Sequence, residues 1–267
     1  PVSDQPRKNP PLWGWHTYAS LAVTVGVLAA MAYWVDFRAV GKELAAVDWT
    51  LAGLAMLAHY ATYPVRGYRW KHCLGSKATA AGTGKFGLIV FFYNFVDNLV
   101  PAKLGDLYAA HMVRINLCIG RSPALGALVF LRMVDTWLVL ALAAFASWIL
   151  FSSQFPASVA WGLAGGIVLA VIVSAVLLAF VFLKHALPAW VPERGRKMVE
   201  GFHEAMLPQR RDVAPVAAST VFVWLLETLW IYLLLRAFNI EPGVAETVFI
   251  TMLPLLASAF PLTPAGA

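Results

Sequence analysis

Arg132 and Asp135 are the only charged residues between Pro123 and Leu150, and they lie three residues apart, on one face of any helix that holds them. Bringing either charge alone to the middle of a bilayer costs about 3 kcal/mol or more. Two roles satisfy that cost. The pair is an internal salt bridge that offsets its own insertion, or it is a charged lining on a substrate path, with Arg132 offered to a phosphate and Asp135 holding it in place. Glu227 stands alone in a second uncharged stretch, Val213–Leu235. A carboxyl there is either protonated or partnered across the bundle, with Arg132 as one candidate partner, and it serves as a proton-coupling residue or as a structural hydrogen-bonding group. Asp97, Asn98, Lys103 and Asp106 gather around Pro101 and Gly105. A half-helix end with unwound backbone at that point binds a polar headgroup; the plainer alternative is a solvated interfacial turn. Pro264 and Gly266 close a second stretch of the same kind. Arg66, Arg69 and Lys71 follow an apolar run, with Tyr68 and Trp70 between them. That pattern suits a snorkelling anchor at the headgroup level, or a patch that collects anionic lipid from the inner leaflet.

Other chemistries find little support. The six histidines show no metal-ligand spacing and HExxH is absent. There is no GxxxxGK[ST] loop to hold a nucleotide, and no cofactor is expected. Leu104–Asp106 resembles the GxGD of aspartyl intramembrane proteases, but Lys103 occupies the position of the first glycine.

The elements that must carry these residues follow from how the apolar residues are grouped. Apolar runs cover Trp15–Val35, Trp49–Val65, Pro123–Leu150, Ser158–Leu183 and Val213–Leu235, with Arg132, Asp135 and Glu227 as the charges inside them. At about 1.5 Å per residue each is long enough, or nearly so, to cross a hydrocarbon core of roughly 30 Å. In lipid, unpaired backbone is too costly, so such runs are helices. The first is too long for a signal-peptide core, and no small-residue cleavage site closes it before Asp36. Two shorter stretches fit re-entrant segments better than spans. Phe86–Leu99 is closed by Pro101 and Gly105, and Thr247–Leu262 is interrupted by Pro254 and Pro261. Each follows a full span, and three spans separate the starts of the two pairs, so the second copy would be inverted. Inverted repeats with broken half-helices point to a transporter site near the midplane. The fold class expected is therefore an all-α polytopic membrane protein, with five transmembrane helices and two Pro/Gly-broken re-entrant segments. It forms a single transmembrane domain over residues 1–267, C-terminally incomplete, with 184–212 as a cytoplasmic amphipathic segment. A GxxxG at Gly162 and Gly166 is expected to allow close helix packing.

Loop charge sets orientation. Arg7 and Lys8 precede the first run, 36–48 holds three acids against two bases, and 66–85 is basic without an acid. The 151–157 connection is uncharged, and 184–212 holds six bases and four acids. Alternate loops are basic beginning with the N-terminus, which places that end in the cytoplasm. The net charge of +6 expresses this bias and attraction to anionic lipid, not nucleic-acid binding. Cys73 and Cys118 then face a reducing compartment, and no disulfide is expected.

The order of these features resembles the flippase-like membrane family that includes the transmembrane region of lysylphosphatidylglycerol synthases. RGYRWKHCL (Arg66–Leu74) is similar to that family's basic segment after an early span. NLVPAKLGDLYAAHMV (Asn98–Val113) resembles its Asn-x-x-Pro-x-x-x-Gly-(Asp/Glu) segment, and SPALGALVFLRMVD (Ser122–Asp135) its Ser–small–Arg-x-x-Asp pattern. FPLTPAGA (Phe260–Ala267) is similar to its Pro-x-x-Pro-x-Gly stretch. Where the family often has Arg soon after the Gly-acid pair, this chain has Leu107, Tyr108 and Ala109, so no headgroup arginine carries over to that point. The soluble synthase domain has no counterpart here, so the resemblance implies lipid translocation rather than lipid synthesis.

The expected function is a lipid flippase or lipid-transport protein of the cytoplasmic (inner) membrane, not an enzyme. A polar or anionic headgroup, of a phospholipid or a polyprenyl-type lipid, would enter a cavity lined by Arg132, Asp135, Glu227 and the two re-entrant tips. Two alternatives belong to other classes. One is an intramembrane enzyme acting on a lipid phosphate, with Asp97, Asp106 or Asp135 as acid or base. The other is a membrane scaffold that recruits partners through 184–212.

Overall fold

The computed structural model describes residues 36–78, 80–99, 105–182 and 192–258, with scattered positions between 22 and 33. Expectations for the first apolar run, for Pro101, Lys103, Pro264 and Gly266, and for the side chain of Asn98 lie outside the described residues. The chain divides into two compact units at Val47 and Asp48. In the first, α1 (Phe37–Ala45) starts at Asp36, whose carboxylate accepts from the N–H groups of Arg38 and Ala39. Phe37, Val40 and Leu44 form an exposed apolar stripe on it.

The second unit holds the remaining described helices: α2 (Trp49–Leu74), α3 (Thr83–Leu99), α4 (Gly105–Leu117), α5 (Arg121–Leu150), α6 (Ala157–Phe182), α7 (Glu193–Met206), α8 (Arg210–Ala237) and α9 (Val244–Ser258). Among the described residues there is no strand. Asp48 caps α2 as Asp36 caps α1, accepting from the N–H groups of Thr50 and Leu51. By length and composition, α5, α8 and residues Ala157–Ala179 of α6 are able to cross a membrane. Trp148, Trp161, Ile172 and Val176 stay exposed on these helices, as side chains facing lipid do. The second expected span is the first part of α2. The helix does not stop at Val65 but runs on without a break through Arg66, Arg69 and Lys71.

Two buried clusters hold the unit together. One joins α2, α3, α4 and α5 around Trp70, Phe86, Val90, Val113 and Leu128; the other joins α5, α6, α8 and α9 around Leu140, Ala143, Leu163, Trp224 and Met252. Because α3 and α4 share the first cluster, the chain turns back between them. The same turn is drawn shut by Asp97, whose Oδ1 accepts the Gly105 N–H at 3.1 Å. A Cβ on Gly105 would sit 2.7 Å from that of Asp97, so only glycine allows the approach. In the second short stretch α9 passes through Pro254 without ending there.

The α2–α8 contact runs antiparallel. The Asp48 N–H donates to the Ala237 carbonyl, Arg66 meets Glu227, Arg69 meets Thr220 and His72 meets Asp212. These helices lead the two stretches that the sequence pairs as inverted copies, and inversion requires this sense of packing.

Of the two glycines in the GxxxG, Gly162 is exposed and Gly166 is buried. A Cβ on Gly162 would meet nothing within 4 Å, so that position is open. A Cβ on Gly67 would lie 2.3 Å from the Gly87 backbone nitrogen, and one on Gly126 would lie 2.2 Å from the Phe202 carbonyl oxygen. Backbone therefore meets backbone where α2 crosses α3 and where α7 lies on α5. The helix within the expected 184–212 segment is α7, and it is docked: Ser122 donates to the Met198 carbonyl, Gly201 lies beside Pro123, and Ala205 and Met206 are buried. Replacing Gly67 by Leu should destabilise the protein by about 3 kcal/mol or more, since neither backbone can yield, whereas Gly162→Leu should change stability by only about 0.5 kcal/mol. Thermal unfolding in detergent, with both variants side by side, checks this; equal melting temperatures would contradict the crossing.

Candidate functional site

Charged side chains from five helices meet where α2, α5 and α8 come together. On α2, His59, Tyr63 and Arg66 follow the spacing of one helical face, and Arg69 continues it. On α8 the matching face carries Thr220, Trp224 and Glu227. Asp135 lies near the middle of α5, about 20 Å from its start at the usual rise.

Arg69 is 4% exposed and makes a two-pronged ion pair with Asp135, each terminal nitrogen 2.6 Å from a different carboxylate oxygen. The same guanidinium donates to Thr220 Oγ1 at 3.2 Å, and the Trp224 indole N–H donates to Asp135 Oδ1 at 3.0 Å. Arg66 donates to Glu227 Oε1 at 2.7 Å, and the Trp230 indole N–H takes the other oxygen, also at 2.7 Å. His59 Nδ1 lies 3.8 Å from Glu227 Oε2 and has no hydrogen-bond partner among the described residues. Arg132 turns toward the α3–α4 hairpin. It binds Asp106 through two bonds of 3.1 and 2.8 Å and lies 3.7 Å from Asp97.

These contacts correct several expectations. Arg132 and Asp135 do not pair with each other, although they share a face, because each finds a better-aligned partner on another helix. Glu227 takes its cation from Arg66, not Arg132. Arg66 and Arg69 are not a lipid-facing anchor: their face of α2 points into the bundle, where Glu227 and Asp135 each require a cation. Lys71, two residues beyond Arg69, lies on another face and remains near the end of the helix. Thr220, Trp224, Trp230, His59 and Tyr93 escaped the sequence reading. The unpartnered Glu227 was the available signal, since its partner had to come from a helix with cations at the same depth.

Arg66, Arg69, Arg132 and Asp135 line one cavity of about 30 Å³, walled by Trp70 and Tyr93. That is room for a water or two, so the site is closed in this state. Beyond Trp224 lies a second space of about 320 Å³, an apolar groove between α5, α8 and α9 lined by Leu138, Leu142, Leu225 and Val248. Trp224 lines the groove and is bonded through its N–H to Asp135, a residue of the cavity. The Arg66 guanidinium carbon lies 5.9 Å from the Trp224 ring centroid. Chemically, the site presents guanidinium forks that match carboxylate or phosphate oxygens equally well.

Removing one partner of the Arg69–Asp135 pair leaves the other buried and unpaired. Asp135→Asn should therefore cost about 3–5 kcal/mol, while the double change Arg69→Met with Asp135→Leu should recover most of that loss. Melting temperatures of the two variants in detergent give the comparison. A double variant no better than the single one would show that the pair's geometry, not its charge balance, sustains the packing.

Residues 18–267 match the family described as lysylphosphatidylglycerol synthase TM region. A UPF0104 membrane protein of Methanocaldococcus jannaschii is 24% identical over 176 residues, which cover 64% of this chain and 74% of the relative. No solved structure matches. The family match spans both the arginine-lined cavity and the helices that build it, and the chain belongs to the lysylphosphatidylglycerol synthase TM region family.

Proposed function

We propose that this protein moves a lipid with a polar or anionic headgroup across the membrane, the headgroup passing through the arginine-lined cavity. The observation that carries the reading is the convergence of Arg66, Arg69 and Arg132 on one cavity among apolar helices. Three guanidinium groups, from two helices, share a polar space, and Trp224, which lines the apolar groove, is bonded to Asp135 of that space. A headgroup and a hydrocarbon chain need such a division, because the chain then stays in an apolar medium while the charge keeps polar partners.

In this state each of the three arginines is already held by a carboxylate. A phosphate enters by exchange: it takes the place of the carboxylate on a guanidinium fork, and the site keeps its bonds throughout. Arg132 is the natural point of first exchange, since its side chain is 46% exposed against 5% for Arg69. Asp97 and Asp106, on the hairpin, then hold Arg132 between turnovers. On this reading the protein is a carrier and not an enzyme. It spans the cytoplasmic membrane several times with its N-terminus inside, and its partner is a phospholipid or a polyprenyl-type lipid.

The test is transport in proteoliposomes loaded with an anionic lipid carrying a fluorescent headgroup, scored by protection from an external quencher. Arg132→Gln should reduce exchange to the protein-free background while the melting temperature stays near that of the unaltered protein. Native mass spectrometry of the same samples should show a co-purified lipid that is lost in the variant. Normal exchange by Arg132→Gln would overturn the assignment of headgroup passage to this cavity.

A further inference from the structure

The basic residues at the far end of α2 form a second pocket, separate from the arginine cavity. The antiparallel pairing of α2 and α8 brings the last turn of one helix beside the first turn of the other. Lys71, His72 and Gly75 from the first face Arg211, Asp212 and Pro215 from the second across a space of about 320 Å³. Gly75 has φ +55°, a backbone that side chains disfavour, and a Cβ there would come 3.8 Å from Asp212 Oδ2. The glycine thus gives the pocket a backbone wall.

Asp212 is buried, and its carboxylate is committed: Oδ1 lies 2.9 Å from His72 Nδ1, and Oδ2 lies 3.5 Å from Arg211 Nε. Facing a carboxylate, His72 Nδ1 carries the proton and donates, which fixes the ring and leaves Nε2 as its other polar atom. Tyr68 stacks against the same ring with centroids 4.3 Å apart. Lys71 makes no ion pair among the described residues. The lining therefore sets two cations against one carboxylate that is already bonded, with a fixed imidazole beside them.

We propose that this pocket binds a phosphate group, with Lys71 and Arg211 supplying the charge and His72 Nε2 accepting a hydrogen bond from a phosphate P–OH. An ammonium, a guanidinium and an imidazole approach from different directions. A monoprotonated tetrahedral phosphate has oxygens for both cations and a P–OH for the imidazole, whereas a planar carboxylate engages two groups at most. The phosphate comes from an anionic lipid headgroup at the membrane surface or from a free phosphate in solution. The site stands whether or not the arginine cavity carries lipid, because no residue is shared between them.

The full chain, with ¹⁵N-labelled histidine in detergent micelles, provides the test. His72→Gln identifies the His72 ring signals by their loss. Inorganic phosphate and dihexanoyl phosphatidic acid are titrated in turn. A saturable shift of the His72 signals with either probe is expected. A response to both shows that the phosphate group itself is recognised, and a response to the lipid alone identifies a headgroup site. In the double variant Lys71→Gln with Arg211→Gln, binding should weaken by about tenfold or more, as two charge-assisted contacts are lost. Both side chains lie at the surface end of their helices, so the fold should persist, and an unchanged melting temperature verifies that. No saturable shift with either probe, or equal affinity in the double variant, would overturn the proposal.

Discussion

The Arg69–Asp135 ion pair is the contact on which the arrangement of α2, α5 and α8 depends. It ties α2 to α5 through both carboxylate oxygens, and Thr220 and Trp224 of α8 bond to the same two groups. Neither charge tolerates an apolar surrounding alone, so the three helices take an arrangement in which the two charges and the Thr220 and Trp224 side chains bond one another. Arg69 Nε alone of these atoms has no partner among the described residues. With that arrangement set, Arg66 reaches Glu227 on the next turn of the same faces, and Arg132 is left pointing at the hairpin. Polar bonding thereby supplies the register that smooth apolar surfaces would leave open.

Much of this was legible in the residues themselves. The run lengths around Arg132, Glu227 and Trp161 marked α5, α8 and α6, because apolar stretches of that length have few other fates. Asp135 and Glu227 announced themselves as charges needing partners. Their partners did not, because a base that follows an apolar run looks the same whether it rises to the headgroups or turns inward. Arg66 and Arg69 were read as the first and are the second. Deciding between them requires knowing which face of α2 meets α8, and that is a property of the packed pair. Likewise the small residues at Gly162 and Gly166 drew attention by their spacing. Yet Gly162 is open, and backbone meets backbone at Gly67 and Gly126, which no glycine spacing singled out.

The antiparallel pairing of α2 and α8 has a second effect: it places the arginine cavity partway along both helices and the Lys71–Arg211 pocket at their shared end. Cations thus line two separate spaces along a single helix pair. Carboxylates temper the charge at each level, Asp135 and Glu227 at one and Asp212 at the other. The charge is balanced pair by pair at the arginine level and keeps an excess of one cation at the Lys71–Arg211 level.

The crossing at Gly67 bears on how such a molecule can move. Where two helices touch through side chains, rotamer changes let one slide along the other. At Gly67 and Gly87 there are no side chains to adjust, and the two backbones already meet. Helices α2 and α3 are in effect a single lever, with Arg66 and Arg69 fixed to it. A wider cavity would then open at the seam with α5, the remaining wall of that space, where the Arg69–Asp135 pair makes the contact.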